Sequence, residues 1–486
     1  PFYNLNSMRY FNMKLIQLFT YTILFSLTAF AQTSDPVEKR AREFVAQVNS
    51  SSGAQFEKYV KENFGGDFLT LPMAAHLNFF RSLREMSRGY DVVGVHERQE
   101  NLVILKLRSK LTGDLEGLSV RVDSSPPYKI LGLGTTPVPR EGNASKLSEK
   151  EINEEFEAYM EKIAGADVFS GSVLLAKGDK VIYKGAFGMA NKDFEVANRF
   201  DTKFNLGSMN KMFTSIAIAK LVEMGKVSLD DPLSKFVPDF PDEESAKKIK
   251  IKHLLSHTAG LGGYFSQAWR NRARGSIRSV DDMMELAKPD EKLRYEPGTN
   301  WQYSNTGMLV LGKVIEVASG KPYFDFVDEN VLKPAGMRNT GCFELDKVNK
   351  NLAVGYDKVF GDEGVSFRNN IFLHVMRGGP QGGCYSNAED LHKFATALVG
   401  GKIVNKKLVA EFTTAKPDLF ASRYGFGFGV TEDGNRFGHG GGFTGISANL
   451  DIFRDSDWIA IVMSNYSRAS QPVSSKMRRL IAAAKQ

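Results

Sequence analysis

A chain of 486 residues exceeds what one ordinary hydrophobic core covers, so more than one domain is expected. With 42 % hydrophobic and 24 % charged residues it has the balance of a soluble globular protein. Its net charge of +7 falls to +5 once Arg9 and Lys14 of the leader are set aside, and no basic cluster accompanies it, which excludes a nucleic-acid partner.

The first segment has the layout of an export signal. Met13-Lys14 opens a short positive region, residues 15–30 are apolar or weakly polar, and Ala29-Phe30-Ala31 offers a small-x-small cleavage site before Gln32. The apolar run is shorter than a comfortable bilayer span, so cleavage is expected, with the true start at Met13. Residues 1–31 are assigned to leader and signal peptide. The mature protein is expected to be secreted or periplasmic, cut after Ala31, with no stable membrane span; Gln32 rules out a lipobox cysteine there.

Residues 34–134 predict a small α+β domain. Asp35 precedes Pro36, Val37 and Glu38, a cap with proline in the first turn and an acid behind it. Val37, Ala41, Phe44 and Val48 then share one helical face. Helical stretches follow at 56–64 and 72–86, then strand-like runs at 90–97, 102–108, 117–122 and 128–132. Helices followed by an antiparallel meander distantly resemble a cystatin-like roll of the nuclear-transport-factor type. No ionisable constellation marks this domain, so a packing or substrate-gating accessory is expected. Residues 135–147, rich in proline, glycine and polar side chains, read as a linker.

The larger domain, 148–486, opens with a hairpin signal over Gly171–Lys177 and Lys180–Phe187 around Gly178-Asp179. Ser208-Met209-Asn210-Lys211 then precedes Phe213, Ile216, Ala217, Leu221 and Met224, a spacing that predicts a helix buried along one side. Positions i and i+3 share a face, so the Lys211 nitrogen can reach the Ser208 oxygen. A serine in the first turn also has unpaired N–H groups and the positive dipole end beside any oxyanion that forms. A second Ser-x-x-Lys, at Ser245, lies in a charged stretch without an apolar face and is expected on a solvated turn. His253 and His257, four apart, have the spacing of a zinc pair, but no glutamate follows the first and no third ligand is in sight. Packing or helix capping is expected of them, and no metal site is assigned.

Tyr-x-Asn occurs at Tyr303 and Tyr385, and once in the leader at Tyr10. Tyr303 follows a Pro297-Gly298 turn and precedes an apolar helix over 307–317, which puts it on a loop facing a cleft. Ser386-Asn387-Ala388-Glu389 reads instead as a capping box for a helix carrying Leu391, Phe394 and Leu398. Runs at 426–431, 436–439, 447–453 and 458–464 predict strands, and 471–484 a helix.

Ser208-x-x-Lys211, Tyr303-x-Asn305 and His439-Gly440-Gly441, in that order, resemble the three motifs of the class C β-lactamase and D-alanyl-D-alanine carboxypeptidase family, which also contains esterases and D-aminopeptidases. Ile251-Lys-His-Leu-Leu-Ser-His-Thr-Ala-Gly-Leu261, Tyr303-Ser-Asn-Thr-Gly-Met-Leu-Val-Leu-Gly312 and Gly379-Pro-Gln-Gly-Gly-Cys-Tyr-Ser-Asn-Ala-Glu-Asp390 resemble family segments as well. The resemblance implies an α/β (α+β) fold, an antiparallel sheet with helices on both faces and a separate helical lobe, with Ser208 between sheet and lobe and His439 on the strand beside it. It implies Ser208 as acylated nucleophile, Lys211 and Tyr303 sharing its proton, and Asn305, His439 and Gly441 binding substrate. The N–H groups of Ser208 and Gly442 would form the oxyanion hole, roughly 3 to 4 kcal/mol per donor in such sites. Whether Lys211 or Tyr303 takes the first proton is left open.

Lactamases of this class carry Lys-Thr-Gly as their third motif. Here His439 is mostly neutral near pH 7 and Gly440 has no hydroxyl, so weak anion recognition is expected. The expected function is a secreted serine hydrolase acting through an acyl-enzyme on an ester or a peptide bond near a D-residue, with no cofactor and a small-molecule or peptide substrate. Alternatives are a β-lactamase and a penicillin- or peptide-binding module without turnover. Cys342 and Cys384 could pair across a loop of about 40 residues, worth roughly 4 kcal/mol, or stay free. Oligomeric state, and the pocket walls at 262–295 and 355–378, are not readable from pattern.

Overall fold

The computed structural model describes residues 35–136, 138, 146–265, 267–287, 292–361 and 364–485; the expected leader, its cleavage site and most of the linker lie outside them. The chain divides into two compact units, with the boundary between Gly142 and Asn143.

In the first unit α1 (Pro36–Ser50) starts where Asp35 accepts the Val37 N–H at 2.9 Å, with Pro36 in the first turn. α2 (Gly53–Asn63) opens with a capping box between Ser52 and Gln55, and α3 (Gly66–Thr70) and α4 (Met73–Ser87) follow. β1 (Tyr90–Gln99), β2 (Leu102–Ser109), β3 (Leu115–Val122) and β4 (Ile130–Thr136) form an antiparallel meander in sequence order. Burial along β2 alternates strictly, which puts Val103, Leu105 and Leu107 into one core with Phe44, Phe56 and Phe80. β4 runs on to Thr136 because Leu133 and Thr135 still pair with Val120 and Leu118.

The longest helices of the second unit are α5 (Glu149–Gly165), α6 (Lys211–Glu223), α7 (Asn305–Ser319), α8 (Ala388–Val399) and α9 (Ser470–Ala482). Its sheet is built from β5 (Gly171–Lys177), β6 (Lys180–Phe187), β7 (Gly429–Val430), β8 (Arg436–Phe443), β9 (Ile446–Phe453) and β10 (Trp458–Ser464). The order is β7-β8-β9-β10-β5-β6, all antiparallel, so the first hairpin lies beside the last strand. Every residue of β10 is buried, which requires cover on both faces. Leu174, Ala176, Ile459, Ile461 and Met463 join the core of the helical lobe with α6 and α8. Val173, Leu175, Ala460 and Val462, equally buried, alternate with them onto the opposite face.

Several expectations need correcting. α6 is buried nearly all round rather than along one side, from Lys211 to Ala219, because it lies between sheet and lobe, whereas Met224, just past its end, is exposed. The Ser245 segment is a short helix, Glu243–Lys248, in which the buried Ser245 donates to its cap Asp242 at 2.6 Å; it is not a solvated turn. Asn387, not Ser386, caps α8, accepting the Asp390 N–H at 2.9 Å, while Ser386 bonds Thr340. Of the run 426–431 only Gly429–Val430 is strand. Gly427, at φ 79°, turns the chain so that its N–H meets the Leu255 carbonyl at 3.0 Å and Phe426 and Phe428 enter the core. Cys342 and Cys384 form a disulfide, with Cα atoms 4.1 Å apart. Among the described residues no helix is long and apolar enough to cross a membrane.

Candidate active site

Ser208 stands on a 3₁₀ turn, Gly207–Asn210, that runs directly into α6 at Lys211. In a 3₁₀ turn positions i and i+3 eclipse, which aligns this pair more closely than an α-helical turn would. The Lys211 Nζ lies 3.0 Å from the Ser208 Oγ. The turn is gripped from two sides. A Cβ added to Gly441 on β8 would fall 1.8 Å from the Leu206 carbonyl oxygen, so only glycine lets that strand approach so closely. From the segment 378–383, the Gly383 N–H donates to the Gly207 carbonyl at 3.2 Å, and the Gly379 carbonyl accepts from the Asn210 side chain at 2.8 Å.

Lys211 is fully buried, and its partners are uncharged: Ser208 Oγ, Asn305 Oδ1 at 2.8 Å and the Gln381 carbonyl. Burial therefore holds its pKa well below the ordinary lysine value. A neutral amine has two N–H bonds and one lone pair. Asn305 Oδ1 and the Gln381 carbonyl can only accept, so the Ser208 hydroxyl is the partner able to turn its proton toward the lone pair.

Tyr303 lies in the irregular segment before α7 and is 36 % exposed, as suits a cleft wall. Its neighbour Ser304 fixes the segment, accepting the Gly307 N–H at 3.0 Å and donating to the Gly262 carbonyl at 2.7 Å. The Lys211 nitrogen is 4.9 Å from the Tyr303 ring centre. Burial of the phenol raises its pKa, and hydrogen bonding with Ser208 offsets this only in part, so Tyr303 rests as a phenol.

His439, half-buried on β8, sets its Nε2 2.9 Å from the Tyr424 hydroxyl and its Nδ1 against the Gly440 carbonyl. Burial, with Lys211 nearby, pushes its pKa down to about 4, so the ring is neutral. The carbonyl fixes its proton on Nδ1, and Tyr424 donates to Nε2. A Cβ on Gly207 would stand 2.9 Å from the Gly442 nitrogen, so the backbones of Gly442 and Ser208 share one corner of the site. An aromatic wall of Tyr264, Phe265 and Trp269 reaches the same place through Gln381, whose amide lies 3.5 Å from the Tyr264 hydroxyl.

Ser208, Lys211, Tyr303, Asn305, His439, Gly441 and Gly442 are thus brought together. Sequence reasoning missed the role of the Gln381 carbonyl, although Gln381 lies in the family-like segment 379–390, and missed Tyr424, which stands in no motif. The two histidines diverge: His253 accepts the Lys250 N–H at 3.1 Å and caps its helix, whereas the His257 ring lies 4.4 Å from that of Tyr303.

The family model described as Beta-lactamase matches residues 152–485. Esterase EstB of Burkholderia gladioli is 34 % identical over 199 residues, 38 % of this chain and 49 % of the esterase. The teichoic acid D-alanine hydrolase of Staphylococcus aureus is 28 % identical over 272 residues, 55 % of this chain and 64 % of that protein. The solved structure of a penicillin binding protein from Bacillus halodurans superposes with a TM-score of 0.59 at 28 % identity, covering 69 % of this chain and 99 % of that one. The family match spans nearly the whole second unit, the part that carries both the sheet and the Ser208 turn, and the chain accordingly belongs to the beta-lactamase family of serine hydrolases.

Proposed function

We propose that the protein is an exported hydrolase that works through an acyl-enzyme at Ser208 on esters or on peptide bonds next to a D-residue. The observation that carries this reading is the Lys211 amine, buried among uncharged partners 3.0 Å from the Ser208 hydroxyl. Neutral Lys211 takes the serine proton as Oγ attacks the substrate carbonyl carbon, and the resulting ammonium is held by Asn305 and the Gln381 carbonyl. The oxyanion forms beside the backbone N–H groups of Ser208 and Gly442. Tyr303, a phenol at rest, gives its proton to the leaving oxygen or nitrogen and recovers one from Lys211. Water then enters by the same route in reverse. Asn305, through its free amide edge, and Gly441 align the acyl portion, with no metal or cofactor in the scheme.

His439 is neutral and offers no cation to a substrate carboxylate, which supports esters and D-residue peptides ahead of β-lactams. The esterase and D-alanine hydrolase relatives support the same order. β-Lactam recognition is the second reading, favoured by the penicillin binding protein of like fold. Export rests on the signal at 13–31, and mature protein beginning at Gln32 is the expected N-terminal sequence.

The test compares wild type with Ser208→Ala on p-nitrophenyl esters, a D-Ala-D-Ala peptide and a chromogenic cephalosporin. Ester or peptide turnover should fall by about a thousandfold or more in the variant. Hydrolysis that survives Ser208→Ala refutes the site. A penicillin adduct on Ser208 without product from any of the three substrates assigns a binding module instead.

A further inference from the structure

His257 is a buried ionisable group beside this site that the scheme above leaves unused. Its backbone is left-handed, φ 62°, a conformation that costs energy for any residue but glycine. In that conformation it holds both chain neighbours of Tyr303. Its carbonyl accepts the Gln302 N–H at 3.0 Å, and its Nδ1 accepts the Ser304 N–H at 3.3 Å. The ring packs 4.4 Å from Tyr303 and 4.7 Å from Tyr424, with Trp301 at 6.3 Å. Besides Tyr303 and Tyr424, the titratable groups that act on it are Lys211 and His439, and the Tyr295 hydroxyl donates to its carbonyl. Only 1 % of its surface is exposed, and burial beside Lys211 keeps the imidazole neutral. With Nδ1 committed as an acceptor, the one ring proton is on Nε2. That Nε2 is buried and meets no hydrogen-bond partner among the described residues. Folded proteins seldom leave a buried N–H unpaired without a reason.

We propose that His257 is a positioning residue for Tyr303, fixing the chain on both sides of it and keeping the Nε2–H for the phenol oxygen once that oxygen has given up its proton. The Tyr303 proton goes to the leaving group, the phenolate is reprotonated by the Lys211 ammonium, and His257 contributes a hydrogen bond without gaining or losing a proton. The inference rests on the roles of Ser208 and Tyr303 given under Proposed function. It has a signature that packing alone lacks. A p-nitrophenolate leaves without needing a proton, whereas an alkoxide does not, so losing His257 must slow an alkyl ester far more than a p-nitrophenyl ester of the same acid.

The experiment measures kcat/KM on p-nitrophenyl and ethyl butanoate for wild type, His257→Phe, His257→Asn, Tyr303→Phe and the His257→Asn/Tyr303→Phe pair. Asparagine tolerates the left-handed backbone and can still accept from Ser304, but places no N–H where Nε2 stood. The ethyl ester rate should fall about tenfold or more in both His257 variants, while the p-nitrophenyl rate, which also reports correct folding, stays within about threefold. In the Tyr303→Phe background the His257→Asn change should cost nothing further. Equal losses on the two esters, an unimpaired ethyl ester rate in His257→Asn, or additive losses in the pair would overturn the proposal. If the wild type turns over no alkyl ester, a D-Ala-D-Ala peptide, whose leaving amine needs the same proton, takes its place, and an unimpaired peptide rate in His257→Asn overturns the proposal equally. A Ser208→Ala arm separates the two levels: p-nitrophenyl hydrolysis that survives there removes the acyl-enzyme reading itself.

Discussion

An amine held by two groups that can only accept has one direction left for its lone pair, and at Lys211 that direction is the Ser208 hydroxyl. Lys211→Arg keeps a cation but cannot release its proton near neutral pH, so acylation should slow by about a hundredfold to ten-thousandfold, read as loss of the p-nitrophenol burst. The pH profile follows from the same chemistry. In the proposed mechanism the working form pairs neutral Lys211 with protonated Tyr303. Burial lowers the first pKa and raises the second, so kcat/KM should climb through a value well below the usual lysine range and hold past the usual phenol range, about 10. His439, held near a pKa of about 4, should add no inflection in the ordinary histidine range. An acid limb at the unperturbed lysine value would contradict this account. At this scale the sequence was readable wherever chemistry follows local spacing, as for Ser208 with Lys211 and Tyr303 with Asn305. It was silent on the Gln381 carbonyl, because every residue has one, and on Tyr424, whose partner His439 is met through a loop rather than a motif.

β8 and the Ser208 turn show how two elements fit. Along β8, His439 and Gly441 share one face and Gly440 takes the other. A Cβ at Gly441 would collide with the Leu206 carbonyl at 1.8 Å, whereas one at Gly440 would meet nothing nearer than 3.6 Å. Gly441→Ala should therefore cost about 1 to 3 kcal/mol and reduce labelling of Ser208 by a fluorophosphonate, while Gly440→Ala should stay within about 0.5 kcal/mol. Thermal melting of the two variants, one residue apart, checks it; equal melting points would remove the argument from close approach. The hairpin of β5 and β6 and the strand β10 could be read from short apolar runs bounded by turn residues. The run at 426–431 alternates as a strand should, but a single glycine with positive φ bends it into the core, and alternation carries no sign of that bend.

In the second unit, the disulfide joins Cys342 to a segment that braces the site. Cys384 accepts the Leu206 N–H at 2.8 Å, and Tyr385, next to it, pairs with Asn205, two strand-like contacts immediately ahead of Ser208. Replacing both cysteines with serine should lower stability by about 4 kcal/mol for a loop of this length, and reductant should bring the wild-type melting point down to that of the variant. A melting point indifferent to reductant would mean that the bond adds little. Family resemblance in the flanking segments made the sheet-and-lobe plan legible. The disulfide was not legible, because 42 residues of separation say nothing about whether two Cα atoms meet. The placement of β10 has one more consequence. Ser464 donates to the Ser170 carbonyl across 294 positions, and β10 supplies the inner neighbour of β5. A nascent polypeptide emerging from the ribosome must carry Gly171–Lys177 with an open edge until Trp458–Ser464 has been synthesised, so a premature stop codon upstream of Trp458 would release a chain whose bare strand is free to recruit another copy.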